Sequence, residues 1–155
     1  MNSGLTIQQF RRYFFDQQAV VSAVDRTKKR VLNRFGGYVR TTARQSIRKR
    51  KRVSRPGEPP SSRKGQLKRF LFYGYEPGRD SVVIGPAKLS RSRFSIPEIL
   101  EYGGASTIRV RSNRHRRGRR RRTRKQVVYA ARPFMQPAFE KEQQKLPQIW
   151  KDAIT

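Results

Sequence analysis

Apolar residues recur at three- to four-residue steps from about Asp16 to Lys51, with charged side chains between them. The pattern comprises Val20, Val24, Val31, Phe35, Tyr38 or Val39, Ala43 and Ile47. Because a helix turns once in about 3.6 residues, these positions share one face and predict a long amphipathic helix. Adjacent Gly36 and Gly37 interrupt the pattern, and each glycine costs about 1 kcal/mol inside a helix. We therefore expect a kink at this point, or two helices instead of one.

The middle of the chain changes from this helical pattern to aromatic and β-branched stretches. Residues 54–64 are rich in proline and predict an extended loop that ends the helix. Residues 66–75 and 81–85 predict the strands of a β-hairpin joined by a longer turn. Phe70 and Phe72 fall on the same face of the first strand, which favours packing in the core.

A short helix and a second hairpin are predicted next. Residues 96–102 predict the helix, with Ser95 as its cap and Gly103-Gly104 as its end. Residues 107–111 and 124–129 are two strand candidates. They are expected to pair as a hairpin with a long charged tip.

The last element begins at Arg132-Pro133-Phe134 and predicts a carboxy-terminal helix. Pro137 suits its first turn, whereas Pro147 is expected to bend or divide it. Its apolar face consists of Phe139, Leu146, Ile149 and Trp150.

Together these elements predict an α+β fold, in which a small antiparallel β-sheet packs against the long N-terminal helix and the C-terminal helix. A length of 155 residues is typical of one domain. We expect residues 1–155 to form it, with residues 1–15 as an N-terminal arm, 54–64 as a Pro-rich loop and 109–125 as an Arg-rich finger.

Charge narrows the range of functions. The chain has 38 Lys and Arg against 10 Asp and Glu, a formal net charge of +28. Such an excess repels itself, so a partner has to supply negative charge. A phosphate polymer fits best, because each neutralised phosphate releases condensed counterions whatever the base sequence. An acidic neighbouring protein is the other source of negative charge.

Two segments concentrate the positive charge, and arginine's planar fork of donors matches phosphate oxygens. The finger holds 11 basic residues in 17 positions. They are Arg109, Arg111, Arg114, Arg116, Arg117, Arg119, Arg120, Arg121, Arg122, Arg124 and Lys125. The second segment is a basic run from Arg44 to Arg55, predicted at the end of the long helix and into the loop, and Arg63, Lys64, Lys68 and Arg69 follow it. Its candidate binding residues, the basic block, are Arg48, Lys49, Arg50, Lys51 and Arg52. Solvation of a surface loop or helix is the alternative role for both, and base-specific reading is not implied.

Phe70, Phe72, Tyr73 and Tyr75 follow the basic block along the chain. Aromatic side chains beside basic ones raise the possibility of base stacking, as in proteins that bind single strands. The shared strand face of Phe70 and Phe72 favours the core instead.

Catalytic chemistry finds little support in the sequence, and we expect no enzyme, no metal and no cofactor. There are no cysteines, and the one histidine, His115, lies inside the finger without a nearby carboxylate to orient it. Glu140 and Glu142 point to different sides of a helix. No apolar run reaches the roughly 18 residues of a membrane span, and no signal peptide is evident, so we expect a soluble protein made inside the cell.

Three stretches in a fixed order resemble a known family. They are Gly65-Gln66-Leu67, Ile99-Leu100-Glu101-Tyr102-Gly103-Gly104, and Tyr129-Ala130-Ala131-Arg132-Pro133-Phe134-Met135-Gln136-Pro137-Ala138. This order is similar to that of the neck and tail-completion proteins of tailed bacteriophages, the family that includes minor tail protein Z-like subunits. The Arg-Pro-Phe-x-x-Pro-Ala stretch is the most specific part of the resemblance.

The residues of these three family-like stretches are expected to maintain the fold. Gly103 allows a tight turn, Arg132 can pair with Glu101, and Phe134 can fill the core. The full set is Gly65, Leu67, Glu101, Tyr102, Gly103, Arg132, Pro133, Phe134 and Pro137. The chain departs from the family where Lys68-Arg69 replaces small hydroxyl residues and where the connection from Gly104 to Tyr129 is longer and more basic.

The resemblance implies a structural virion protein at the head–tail junction, assembled in the host cytoplasm. It would form a homo-oligomeric ring, such as a hexamer or dodecamer, between portal or adaptor, head-closure and tail-terminator proteins. The ring would surround double-stranded DNA, with Arg116, Arg117, Arg119, Arg120, Arg121 and Arg122 on its inner surface.

Three alternatives to this function remain. A ribosomal-type protein or another non-specific nucleic-acid-binding protein would use the same basic arms to bind RNA. A pure assembly protein would direct its arginines at acidic neighbours and never contact DNA. A nuclease is the most distant alternative.

Overall fold

The computed structural model of the chain describes residues 16–87, 96–111 and 122–154. Its elements in chain order are α1 (Gln17–Ser46), α2 (Gln66–Arg69), β1 (Leu71–Glu76), β2 (Ser81–Pro86), α3 (Ile96–Tyr102), β3 (Gly104–Arg111), β4 (Arg122–Tyr129), α4 (Met135–Gln143) and α5 (Leu146–Ile154). The fold is mixed α+β, as predicted. The strands form two separate antiparallel pairs, β1 with β2 and β3 with β4, where one sheet was expected.

Helix α1 is the scaffold on which the other elements pack. It begins after Asp16, whose carboxylate accepts a hydrogen bond from the Ala19 backbone N–H at 3.0 Å. The helix runs through Gly36 and Gly37 without a break, so the predicted division into two helices is wrong. A Cβ atom on Gly36 would stand 2.7 Å from Val82 Cγ2 and 2.9 Å from Tyr73 Cδ2. The glycine therefore serves the close approach of helix and hairpin, which outweighs its unfavourable helix propensity.

The two glycines offer a matched pair of substitutions. Gly36→Ala should lower the free energy of unfolding by about 1–3 kcal/mol, because the new methyl group overpacks the contact with the hairpin. At Gly37 the nearest atom to an added Cβ is the Tyr73 hydroxyl at 3.6 Å, which is ordinary contact. Gly37→Ala should therefore raise stability by up to about 1 kcal/mol through helix propensity. Urea denaturation measures both, and a shift of the same sign in the two variants would contradict this account.

The core lies where α1 meets the first hairpin and the C-terminal helices. Its buried cluster comprises Phe35, Val39, Ala43, Ile47, Leu71, Phe134 and Ala138. The hairpin pairs Leu71 with Pro86 at one end and Glu76 with Ser81 at the other, which confirms the predicted hairpin. Its inner face turns Leu71, Val82 and Ile84 toward the core.

An ion pair between Lys28 and Asp80 holds the turn of this hairpin against α1. Lys28 Nζ lies 2.6 Å from an oxygen of Asp80 and 3.0 Å from Asp25, and the Tyr75 hydroxyl donates to the other Asp80 oxygen at 2.7 Å. The hydrogen bond to Asp80 raises the pKa of Lys28, and the same bond lowers the pKa of Asp80. Asp80 adopts a left-handed conformation (φ 48°), which closes the turn.

Helix α1 begins where it was predicted to begin but ends earlier, and the apolar side chains of its first turns are exposed. Val20 and Val24 are exposed, because the first turns of the helix extend past the elements that cover its later turns. The helix ends at Ser46 and not near Lys51. Ile47 leaves the helix in an extended conformation and enters the core, and the Arg48 carbonyl then accepts from Ser62 N–H at 3.0 Å.

The start of β1 also differs. Gln66–Arg69 is a helical turn that follows Gly65 in a left-handed conformation (φ 71°), so the strand begins only at Leu71. This start sets the alternation of the strand. Leu71 is fully buried and Phe72 is 50% exposed, so the predicted core position of Phe72 is wrong.

The C-terminal segment matches its prediction in outline. Two helices, α4 and α5, meet at Gln144 and Lys145, and Pro147 lies in the first turn of the second. Ile149 is buried, whereas Phe139 remains partly exposed with its ring edge-on to Phe35 at 5.6 Å.

Glu142 is buried and accepts hydrogen bonds from the Thr42 hydroxyl at 2.7 Å and Lys145 Nζ at 2.8 Å. Burial would raise the pKa of Glu142, but the bonds from Lys145 and Thr42 outweigh it and hold the pKa below its ordinary value. A depressed pKa in the folded state contributes stability that is present at neutral pH and is lost on acidification.

The free energy of unfolding should therefore fall as the pH drops below about 4.5, the ordinary pKa of a glutamate. Glu142→Gln should make this fall shallower, because the variant has no carboxylate to protonate at that position. Thermal unfolding from pH 7 to pH 3 measures the slope. Glu140→Gln on the exposed side of the same helix is the control, and an equal change of slope in both variants would argue against the role given to Glu142.

Candidate nucleic-acid interface

The second hairpin carries the described part of the Arg-rich finger. Strands β3 and β4 pair over their whole length, which confirms the predicted pairing and extends both strands. The register places Arg109 opposite Arg124 and Arg111 opposite Arg122. The remaining predicted finger residues lie outside the described residues; they are Arg114, Arg116, Arg117, Arg119, Arg120 and Arg121.

This register gives the hairpin an unfavourable electrostatic balance. Like charges at directly opposed positions of an antiparallel pair are destabilising. Arg124 and Lys125 are exposed, and within residues 16–87, 96–111 and 122–154 no carboxylate pairs with either of them. This hairpin of β3 and β4, called the ribbon below, has two strands, and a two-stranded hairpin is only marginally stable alone. An external anion would offset this repulsion.

The base of the ribbon is fixed by a turn and by backbone hydrogen bonds. Gly103 ends α3 with φ 79° and donates to the Ile99 carbonyl at 2.9 Å. A Cβ atom there would stand 3.1 Å from the backbone of Tyr129 and Ala131, so only glycine fits without displacement. The Arg132 N–H donates to the Leu100 carbonyl at 2.6 Å, and the two ends of the ribbon are thus joined to α3.

Arg132 connects this base to the Pro-rich loop. Its guanidinium donates to the carbonyl oxygens of Ser54 and Ala130, each at 3.1 Å. Gly57 N–H donates to the Ala131 carbonyl at 2.9 Å and adds a second link. The predicted pairing of Arg132 with Glu101 is wrong, because backbone carbonyls occupy the guanidinium.

Glu101 has a different role from the one predicted. Its buried carboxylate accepts hydrogen bonds from the backbone N–H groups of Phe134, Met135 and Gln136, at 2.9, 3.1 and 2.8 Å. These are donors at the start of α4, which have no partner within the helix. The carboxylate therefore caps α4 from a distant part of the chain and fixes the exit of the ribbon.

The remaining residues of the family-like stretches differ in burial. Phe134 is fully buried and Leu67 packs against the core, as expected of fold-maintaining positions. Pro133 is half-buried and Pro137 is exposed in the first turn of α4. Tyr102 is 75% exposed, so its side chain does not contribute to the core.

The basic block lies beyond the end of α1, so the part of it that was predicted on the helix is in the loop instead. Arg48 and Arg50 line a cavity of about 420 Å³, together with Gln45, Ser46, Glu58 and Pro59. Arg50 is 3.7 Å from Glu58, and its Nε is buried without a hydrogen-bond partner among the described residues. Lys49, Lys51 and Arg52 are exposed. The block thus offers several cationic groups, of which Arg50 is partly neutralised by Glu58.

The loop contacts place the C-terminal end of the basic run next to the base of the ribbon. Ser54, which bonds to Arg132, lies two residues after Arg52 and directly before Arg55. Arg55 is exposed and belongs to the predicted basic run from Arg44 to Arg55, although it was not singled out as a candidate binding residue. Its place at the end of the charge run is the sequence signal that could have identified it, whereas the bond from Arg132 to the loop has no such signal.

The described part of the chain contains neither a candidate metal site nor a candidate membrane span. Residues 16–87, 96–111 and 122–154 contain no group of three His, Asp or Glu side chains placed to hold a metal ion. Over the same residues, no helix is both long and apolar enough to cross a bilayer. No family model matches the sequence, and the comparisons with curated proteins and with solved structures give no match.

Proposed function

We propose that this chain is a structural subunit of a phage head–tail connector, in which copies form a ring around the DNA channel and basic loops contact phosphates without reading bases. The ribbon and its finger form the contact with DNA. The basic block and Arg55 add positive charge beside the base of the ribbon. Phosphate contacts of this kind are individually weak, so DNA can slide past them.

The observation that carries the proposal is the ladder of opposed arginines. Arg109 and Arg124 share one rung, and Arg111 and Arg122 share another, at the end of the ribbon from which the finger continues. A protein gains no stability from such rungs in water. Bound to a duplex, which carries one negative charge per roughly 1.7 Å of its axis, the same rungs become favourable.

Binding to two duplexes of unrelated sequence, measured over a range of salt concentrations, tests the DNA contact. We expect equal affinities and a steep linear fall of log K with log salt, with a slope of about 0.9 for each phosphate neutralised. A strong preference for one sequence, or for folded RNA over duplex DNA, would instead favour a different nucleic-acid-binding function.

Imaging tests the ring. Negative-stain electron microscopy and mass photometry of the protein, with and without a short duplex, should show closed rings. A protein that binds duplex DNA but stays monomeric at all concentrations would contradict the connector and leave only DNA binding. A protein that forms rings but binds no duplex would favour an assembly role, with acidic proteins as the partners of the arginines.

A further inference from the structure

The outer face of the first hairpin points away from α1 and is apolar, and in the described part of the chain its large side chains remain exposed. Its central positions are Phe72 and Val83, which are 50% and 61% exposed. The Phe70 ring lies edge-on to the Phe72 ring, with centroids 6.4 Å apart and planes at 60°. This contact limits the rotation of Phe72 and leaves part of its ring accessible.

Glycines flank both exposed side chains. The register pairs Phe72 with Gly85 and Val83 with Gly74, so each large residue faces a glycine across the ladder. Neither glycine has a positive φ, and a Cβ atom built on either would meet nothing within 4 Å. The fold therefore does not require glycine at either position. Glycine inside a strand weakens the strand and often marks the close approach of another molecule.

The charges near this face favour an anionic partner. Lys68 and Arg69 end the helical turn that precedes Phe70 and β1, and Arg69 is exposed. Among the strand positions of this hairpin, Glu76, next to the turn, is the one carboxylate on the outer face.

We propose that this outer face binds the unpaired bases of a single-stranded nucleic acid, with a base stacked on Phe72 over the space left by Gly74 and Gly85. Lys68 and Arg69 contact the sugar–phosphate backbone on either side of the stacked base. A flat ring fits a flat face without side chains, and stacking on an aromatic side chain tolerates any base. The inference extends the proposed binding of polynucleotides and rests on it.

Three probes separate stacking from phosphate binding: a thymidine oligonucleotide, an abasic deoxyribose-phosphate strand of equal length, and a duplex. We expect Phe72→Leu to weaken binding of the thymidine strand about 5- to 100-fold, because one base loses its aromatic partner. The affinity of the Phe72→Leu variant for the abasic strand and for the duplex should equal that of the parent protein. Phe72→Tyr keeps the ring and is the matched control.

The glycines provide a second test, one that loss of folding cannot imitate. Gly85→Thr fills the space beside Phe72 with a side chain that favours strands, so the melting temperature should stay the same or rise. Binding of the thymidine strand should nevertheless fall to the level of Phe72→Leu. Gly78→Thr in the turn, also in open space, is the control for an added side chain.

Each outcome decides between the occupants. Equal losses on all three probes in Phe72→Leu would overturn the inference, and so would unchanged binding of the thymidine strand. A change of oligomeric state in the absence of nucleic acid would assign the face to a second copy instead. If the parent protein binds none of the probes, the proposed function itself fails, and that result is independent of Phe72.

Discussion

Replacing Arg119, Arg120, Arg121 and Arg122 with serine is expected to weaken duplex binding roughly a hundredfold near physiological salt. The slope of log K against log salt should become shallower by about 3 to 4. Each arginine that neutralises a phosphate releases close to one condensed counterion, so four lost contacts remove about four ions from the equilibrium. Fluorescence anisotropy with a labelled duplex at several salt concentrations measures both quantities.

A second variant with the same loss of net charge makes this test specific. Arg26, Arg30, Arg79 and Lys141 are exposed and lie on α1, in the first hairpin turn and on α4. Replacing these four with serine should leave the slope nearly unchanged, because they belong to neither the finger nor the basic block. If both variants shifted the slope equally, DNA would respond to net charge alone and the finger would have no special role.

Much of the fold could be predicted from local patterns. The first hairpin follows from alternating β-branched and aromatic positions, and the division between α4 and α5 follows from Pro147. Gly36 shows where this reasoning stops. Its propensity predicts a break, but its contact with Val82 and Tyr73 comes from a hairpin more than 35 residues further along the chain. Propensity is local, whereas the closeness of two packed elements is a property of the whole fold.

The candidate site also has parts that the sequence predicts and parts that it does not. Charge density alone predicts the finger, and the strand patterns on either side predict that its ends meet. The register that opposes Arg109 to Arg124 follows once the ribbon base is fixed at Gly103. The positioning groups could not be predicted, because Arg132 and Glu101 both act on backbone atoms. Any residue supplies a carbonyl or an N–H, so these partners leave no trace in side-chain patterns.

Phe72 shows how the choice of the face that a strand turns to the core changes a functional prediction. In a strand starting at Gln66, Phe70 and Phe72 would lie on the same face, and that face was expected to pack in the core. The helical turn Gln66–Arg69 delays the strand, and Leu71 becomes the core residue in their place. Since the side-chain period of a strand is two residues, this start turns Phe72 to the outer face. The exposed ring is the observation on which the proposed stacking role is based.

Glu101→Ala should be among the most damaging single substitutions for stability. It removes the acceptor of three backbone N–H groups at the start of α4, and each unsatisfied buried donor costs about 1–3 kcal/mol. We expect a loss of about 3 kcal/mol or more in the free energy of unfolding, a large share of the roughly 5–15 kcal/mol typical of a domain. Urea denaturation measures the loss.

Two further variants identify the cap as the cause. Glu101→Gln retains one carbonyl oxygen as acceptor and should lose less stability than Glu101→Ala. Glu98→Ala, an exposed position in the same short helix, should change stability by no more than about 0.5 kcal/mol. Because α4 starts where the ribbon ends, Glu101→Ala should also increase amide hydrogen exchange in residues 130–136 before the rest of the chain unfolds. Parent-like stability together with unchanged exchange would show that the carboxylate does not cap the helix.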